Sequence, residues 1–225
     1  LKLTTVASNR EHFERDLANL EEARLLAEAL DHKPRLSQIL YWIGRTHYVL
    51  GGFDLGIEYG EKSLAIAESV GGDNLTAPPV NLLGRLHNFT DPKIAAELLA
   101  RSVEQMHALG NRIEEAGAAG LLGWSYAVLG RFPEAMQAAD HGVEVADKIG
   151  HLPTLAACLH YRGQFHSFLG NLEASLRDLG AALDLVEESG DVFRKYIIYG
   201  CRGDAYRLAG DFQHAVPELT KSVDL

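Results

Sequence analysis

The chain has 225 residues, of which 31 are acidic and 21 are basic, giving a formal net charge of −10 at pH 7. The basic residues form no stripe or arm of the kind that neutralises phosphates, so this balance argues against a nucleic-acid partner. No apolar stretch approaches the roughly 18 residues that a membrane span needs, and the first residues lack the pattern of a secretory signal. We therefore expect a cytoplasmic protein with no nucleic-acid and no membrane partner.

Five glycines recur inside runs that otherwise have the pattern of a helix. They are Gly44, Gly84, Gly123, Gly163 and Gly203, separated by 40, 39, 40 and 40 residues. Glycine inside a helix is less favourable than alanine by roughly 1 kcal/mol, so a regular series indicates a close helix contact that is rebuilt in each unit. The sequence is therefore predicted to be an array of repeats.

Other positions keep the same period. Glycines that end the first helix of a unit are Gly51, Gly130, Gly170 and Gly210, and those that end the second are Gly71, Gly110, Gly150 and Gly190. Small residues form a further column at Gly56, Ala95, Ala135, Ser175 and Ala215, and another at Ser63, Ser102, Gly142, Ala182 and Ser222. These columns define a helix-turn-helix unit whose first helix (A) and second helix (B) cross closely.

In chain order, the pattern predicts a leading B helix over 13–30 and then five A–B pairs. The A helices are predicted at 35–50, 77–88, 113–129, 153–168 and 193–208, and the B helices at 54–70, 92–109, 133–149, 172–189 and 212–225. Proline tolerates the first turn of a helix because its missing N–H is not needed there. The prolines assigned to helix starts are Pro34, Pro78, Pro79, Pro92, Pro133 and Pro153. Pro217 lies about a turn into the last B helix, which we expect to kink or to begin late.

These motifs resemble the tetratricopeptide repeat (TPR). In the A-helix pattern, an aliphatic residue precedes the interior glycine, and a residue with a ring follows three positions after the glycine. The turn has the pattern Gly-x-aromatic, as in Gly51-Gly52-Phe53, Gly130-Arg131-Phe132 and Gly210-Asp211-Phe212. The 40-residue spacing is longer than usual and is similar to TPR arrays of bacterial multidomain signalling and regulatory proteins. Arg162 and Arg202 depart from the pattern, because they stand where Ile43 is aliphatic, and Thr90 replaces a turn glycine.

The resemblance implies an all-α fold, a right-handed α-solenoid of antiparallel helix pairs. A single TPR-like array is expected over 1–225, with an incomplete leading repeat at 1–34. The full repeats are predicted at about 35–74, 75–112, 113–152, 153–192 and 193–225.

The resemblance also implies a partner-binding groove lined by the A helices on the concave face. Carried over by position, the groove residues are Tyr41, Arg45, Tyr48, Asn81, Arg85, Asn88, Trp124, His160, Gln164, Asp204 and Arg207. Arginine, amide and aromatic side chains suit an extended peptide, because they bind carboxylates, backbone groups and apolar side chains. The alternative is that these residues are only the solvated faces of helices.

Two features refine the expected ligand. Arg45 and Arg85 occupy the same position in adjacent repeats, so we expect a local positive patch that favours an acidic or carboxylate-bearing partner. Gly117 and Gly120 leave little side chain near Trp124, which is consistent either with a pocket or with tight helix packing.

We expect a protein–protein interaction module that binds a peptide or a partner-protein segment. The alternative is a sensory region that controls a cyclase, ATPase or transcription-regulator domain absent from this sequence, because the chain begins without methionine and ends within a predicted helix. A third reading is a dimerisation surface, with a homodimer formed through the terminal repeats.

No motif of an enzyme or a cofactor site is found. There is no phosphate-binding glycine loop, no Gly-x-Ser-x-Gly and no His-x-x-x-His pair, so we expect no catalytic residue, no cofactor and no metal. Cys158 and Cys201 have no metal-binding spacing, and we expect both to be small buried residues in a reducing compartment.

Overall fold

The computed structural model describes residues 2–224, apart from the side chains of residues 2–11, 189 and 224. Within this range it has eleven helices and no strand. The helices are α1 (Lys2–Ala29), α2 (Lys33–Val49), α3 (Phe53–Val70), α4 (Asp73–His87), α5 (Pro92–Ala108), α6 (Arg112–Val128), α7 (Phe132–Lys148), α8 (Leu152–Phe168), α9 (Leu172–Ser189), α10 (Val192–Leu208) and α11 (Phe212–Asp224). The predicted all-α class is confirmed.

The A helices α2, α4, α6, α8 and α10 each pair with the B helix that follows. In the α2–α3 pair, Ser37 near the start of α2 donates a hydrogen bond to the carbonyl of Ser63 near the end of α3, at 2.9 Å. Near the turn, a Cβ added to Gly44 would lie 3.1 Å from the carbonyl oxygen of Gly56. From the first contact to the second, the residue number rises on α2 and falls on α3. The two helices are therefore antiparallel, as predicted.

Every glycine of the 40-residue series lies in such a contact. A Cβ on Gly84, Gly163 or Gly203 would come within 2.8 Å of a leucine side chain on the following B helix. At Gly123 the nearest atom is the carbonyl oxygen of Ala135, at 2.9 Å. Real Cβ atoms do not approach other atoms this closely, so the predicted role of the glycine column is confirmed.

The chain forms two compact units, Leu1–Gln105 and Met106–Leu225. In the first unit, a cluster around Ala27, Ile39 and Ile43 joins α1 to the α2–α3 pair. In the second unit, α8, α9 and α10 share a core that includes Leu179 and Ile198, both fully buried. The single array over 1–225 and its repeat boundaries stay predictions.

In the second unit, α6 contacts α8 as well as its own partner α7. A Cβ on Gly120 would lie 3.1 Å from the ring of Tyr161, and the thiol of Cys158 donates to the carbonyl of Ala116 at 3.4 Å. An A helix therefore lies in the notch between its own B helix and the next A helix.

Two helix starts differ from the predictions. Helix α4 begins at Asp73, so Pro78 and Pro79 lie inside the helix, and their assignment to a helix start is wrong. Helix α1 extends from Lys2, well before the predicted start at residue 13. Helix α11 begins at Phe212 as predicted and contains Pro217, so of the two alternatives for this proline the late start is wrong.

The two arginines that depart from the repeat pattern form charged pairs. Arg162 binds both carboxylate oxygens of buried Asp178, at 2.6 and 3.0 Å. Arg202 forms an ion pair with buried Glu218 at 3.2 Å. Each acidic residue lies 16 positions after its arginine, so both repeats place an ion pair at the same two repeat positions.

Candidate functional site

Three predicted groove residues of the first unit lie on α2. Arg45 is exposed, whereas Tyr41 and Tyr48 are half-buried. The Arg45 guanidinium donates to the Tyr41 hydroxyl at 3.1 Å and lies 5.1 Å from the centre of the Trp42 ring. Cation–π attraction and the phenol together hold this cation at the surface.

Two further predicted residues of this unit, Asn81 and Arg85, form a hydrogen-bond chain from the interior towards the surface. Asn81 is buried and donates to the hydroxyl of Ser102 at 2.8 Å, while its carbonyl oxygen accepts from Arg85 Nε at 2.6 Å. Arg85 is half-buried, and Asn88 is buried at the end of α4. Asn81 thus positions Arg85, and direct binding of a ligand by Asn81 or Asn88 stays a prediction.

In the second unit, Trp124 belongs to an aromatic cluster. Its ring centre lies 6.2 Å from those of Phe165 and Phe168, and it is half-buried. The ring of Tyr161 fills the space beside Gly120. Of the two alternatives for Gly120, the structure therefore supports tight packing.

His160 lies in the packing between α8 and α10, with only 7% of its surface exposed. Its Nε2 is 3.3 Å from the thiol of Cys201. Burial, with a smaller contribution from the charge of Arg194, lowers the pKa of His160 to about 4. Burial raises the pKa of Cys201 to about 12, and both cysteines are free and buried, as expected.

The remaining predicted residues are accessible. Gln164 on α8 is half-buried, and Asp204 and Arg207 on α10 are exposed. Arg207 Nε donates to Asp204 Oδ1 at 2.9 Å, so these two charges offset each other locally. A partner that binds here has to compete with a surface ion pair, which is typically worth under about 1 kcal/mol.

A cavity of about 580 Å³ lies between α1 and α2 and includes Arg45 in its wall. The lining residues are Phe13, Asp16, Asn19, Leu20, Trp42, Arg45, Thr46 and Val49. Trp42, which is 49% exposed, was missed because the TPR resemblance selects Tyr41 as the groove position. The signal that could have found it is composition, since the chain has only two tryptophans.

A buried carboxylate in the second unit was also missed. Glu115 is fully buried; its Oε2 accepts from Arg112 at 2.7 Å, and its Oε1 lies 2.9 Å from His141 and 3.1 Å from His107. Three side chains from α5, α6 and α7 thus meet at one carboxylate.

Among the described residues, no group of histidine, cysteine and acidic side chains is arranged to hold a metal ion. Nor does any described helix combine the length and apolar character that a membrane span requires.

No protein-family model matches the sequence, and no curated protein matches it. Solved structures do resemble the chain. BtubC (BKLC) from P. vanneervenii is similar with a TM-score of 0.72 and 16% identity, over 93% of this chain and 89% of that one. A STAND protein (Signal Transduction ATPase with Numerous Domains) with a tetratricopeptide repeat sensor, from Pyrococcus horikoshii, has a TM-score of 0.74 and 13% identity. That match covers the whole of this chain and 36% of the other.

A third similar structure is a Rap protein complexed with competence and sporulation factor. It has a TM-score of 0.71 and 9% identity, over 98% of this chain and 72% of that one. At these identities the likeness concerns the fold, which is that of TPR proteins, as the repeat columns predicted.

Proposed function

We propose that this chain, which has the TPR fold, is a protein–protein interaction module that binds a peptide or a partner-protein segment on its A helices. The observation that carries the proposal is the accessibility of the predicted positions. Eight of the eleven predicted residues are exposed or half-buried, and they lie at equivalent positions of α2, α4, α6, α8 and α10. Both cationic and aromatic groups are among them, as is common at protein interfaces.

One of the similar structures supports this proposal. The Rap structure contains competence and sporulation factor, so a helical fold of this kind holds a second molecule there. In the present chain, the arginine side chains of the A helices would bind carboxylates of the partner.

The test is capture of partners from the source cell, followed by binding measurements with the purified partner. Two variants probe the proposed surface, Arg85→Ala in the first unit and Gln164→Ala with Arg207→Ala in the second. Each leaves the α1–α2 cavity unchanged. Arg177→Ala is the matched control, because Arg177 is an exposed arginine on the B helix α9.

At least one A-helix variant is expected to weaken the partner's affinity by about tenfold or more, whereas the control keeps it. The helix content of all variants is checked by circular dichroism. Equal affinity for native protein and both A-helix variants would contradict the proposal and would direct attention to the B helices.

A second candidate is a sensory region that controls an effector domain, as in the alternative above. It is favoured by the STAND structure, since this chain matches one part of a longer protein that carries a tetratricopeptide repeat sensor. The full-length gene product tests it. A linked ATPase, cyclase or DNA-binding domain would support regulation, and a protein made of repeats alone would contradict it.

A further inference from the structure

The notch between α7 and α8 holds the A helix α6 and shows which contacts an A helix makes with the neighbouring helices. In this notch, α6 contacts α7 and α8 through small residues of its own, including Ala116, Gly120 and Gly123. The residues that contact α6 are Ala135, Ala139 and Gly142 on α7 and Cys158, Tyr161 and Phe165 on α8. These positions define the surface that holds an A helix.

The same surface exists on α1 and α2. In the glycine series, Gly163 of α8 and Gly44 of α2 are 119 residues apart, which is the sum of the intervals 40, 39 and 40. Shifted by 119, the residues that contact α6 become Asp16, Leu20 and Ala23 on α1 and Ile39, Trp42 and Thr46 on α2. The packing supports the equivalence, because Ala23 packs against the cluster that contains Ile39, just as Gly142 lies against Cys158.

At α1 and α2 these equivalent residues line cavities. Asp16, Leu20, Trp42 and Thr46 belong to the cavity of about 580 Å³. Ala23 and Ile39 line a second cavity of about 520 Å³ between the same two helices. From Phe13 on α1 to Leu30, which directly follows α1, the cavity walls extend for about 25 Å, which is the length of a 17-residue helix. Helices α6, α8 and α10 each have 17 residues.

The charges of the cavity walls select the occupant. Arg45 lines the first cavity and Arg35 the second, while the acidic Asp16 in the wall of the first cavity lies 3.6 Å from the ring nitrogen of His12. The described side-chain partners of Arg45 are the Tyr41 hydroxyl and the Trp42 ring, and that of Arg35 is Gln38 at 3.4 Å. All of these partners are neutral. The two arginines are ten residues apart, or about 15 Å along α2, so acidic residues on a docked helix could reach both.

We propose that the α1–α2 notch, defined by these two cavities, binds an amphipathic α-helix of about 17 residues from a partner protein. The helix places small residues against Leu20 and Ala23 and acidic residues beside Arg35 and Arg45. Docking buries the Trp42 ring, as Leu82 is buried at the equivalent position of α4. The inference rests on the proposed function in that both need a protein partner, but it concerns a different surface from Arg85, Gln164 and Arg207.

Trp42 itself can report the docking. In the full chain with Trp124→Phe, Trp42 is the remaining tryptophan, since the sequence has two. The probe is a synthetic peptide of residues 112–128 with Trp124→Phe, which corresponds to the A helix in the equivalent notch. Titration is expected to shift the Trp42 emission to shorter wavelength in a saturable manner, with one peptide bound for each chain.

Two pairs of variants locate the binding. Ala23→Arg places a large cation in the notch and is expected to weaken peptide binding by at least about tenfold. Ala18→Arg is the control, because Ala18 is exposed on α1 outside the cavity walls. In the second pair, Arg35→Glu replaces a cation of the second cavity by an anion and should weaken binding of the peptide, whereas Arg15→Glu, at an exposed position outside the cavity walls, should not.

Several outcomes would overturn the proposal. One is an unchanged Trp42 emission up to the solubility limit of the peptide, and another is equal binding by Ala23→Arg and Ala18→Arg. A Trp42 emission that changes with protein concentration alone would identify a second copy of the chain as the occupant instead. Peptide docking is measured by Trp42 emission, and partner binding on the A helices is measured by affinity for the captured partner. If one measurement fails while the other succeeds, the failed measurement identifies the proposal that is wrong.

Discussion

Gly123 and Gly180 both lie inside helices of the second unit, but their surroundings differ. A Cβ on Gly123 would lie 2.9 Å from the carbonyl oxygen of Ala135 and from the Phe165 ring, whereas a Cβ on Gly180 would meet no atom within 4 Å. The same substitution therefore has opposite effects at the two sites. At Gly123 the added methyl group pushes two helices apart, and at Gly180 it only improves helix propensity.

Gly123→Ala is expected to lower the free energy of unfolding by about 1–3 kcal/mol, because a tightly packed contact is overfilled. Gly180→Ala is expected to raise it by about 0.5–1 kcal/mol. Urea unfolding followed by circular dichroism measures both. If the two variants changed stability in the same direction, our account of the glycine column would be incorrect.

His160 should make the stability of the fold depend on pH. Its pKa is lowered from about 6.5 in the unfolded chain to about 4 in the folded protein. Between these values the unfolded state binds a proton that the folded state does not, so the free energy of unfolding falls as the pH decreases from 6.5 to 4. Above pH 6.5 both states are neutral at this residue, and the contribution vanishes.

The His160→Gln variant isolates this contribution, because glutamine does not titrate. Between pH 6.5 and pH 4, the native protein is expected to lose up to about 3 kcal/mol more stability than the variant. Chemical unfolding at closely spaced pH values gives the difference. Parallel pH profiles of the two proteins would show that His160 is protonated in the folded state as easily as in the unfolded state.

At the scale of helices and pairs, the repeat columns predict most of the structure. The A helices α2, α6, α8 and α10 begin and end within two residues of the predicted positions. Helix α4 is the exception, because the rule that places proline in the first turn was applied to Pro78 and Pro79. Gly72 and Asp73 begin this helix earlier, and the helix tolerates two prolines without their N–H donors.

The candidate site was less predictable than the fold. Position within a repeat indicates which side of a helix a residue occupies, but its exposure depends on the neighbouring repeats. Cys201 on α10 lies against the ring of His160 and contributes to its burial, although the repeat position suggested access. Trp42 shows the opposite case. Residues at the same position of other repeats contact the preceding A helix, whereas Trp42 lines a cavity.

The Arg162–Asp178 pair tests how a repeat replaces an apolar contact with a charged one. Asp178 is almost completely buried, and its removal leaves the exposed Asp140 as the remaining acidic partner of Arg162 among the described side chains. Asp178→Ala is expected to lower the free energy of unfolding by about 3 kcal/mol.

The double variant Arg162→Leu with Asp178→Leu restores the apolar residue types found at Leu83 and Leu98 in an earlier repeat. Its stability is expected to equal or exceed that of the native protein, because a well-packed apolar pair avoids the cost of desolvating two charges. Thermal unfolding of the native, single-variant and double-variant proteins provides the comparison. A double variant as unstable as Asp178→Ala would mean that the ion pair itself is needed for packing in this repeat.

For the whole molecule, the terminal helices raise the question of self-association. Leu26 on α1 and Val216 on α11 are both 62% exposed, and Leu30 and Phe212 beside them are exposed as well. Exposed apolar clusters favour association, whereas a net charge of −10 on each chain opposes it. Salt screens the repulsion and leaves the apolar contact intact, so these two effects can be separated by ionic strength.

Sedimentation equilibrium is therefore expected to show a homodimer whose population rises with protein concentration and with salt. Val216→Glu on α11 should abolish it, whereas Leu26→Glu should leave it intact, because Leu26 lines the α1–α2 notch that we assign to a partner helix. Val128→Glu is the matched control, because Val128 is a similarly exposed apolar residue on α6 and belongs to neither terminal helix. A monomer at all concentrations in high salt would contradict association through the terminal repeats. Loss of the dimer in Val128→Glu alone would instead place the contact at the turn between α6 and α7.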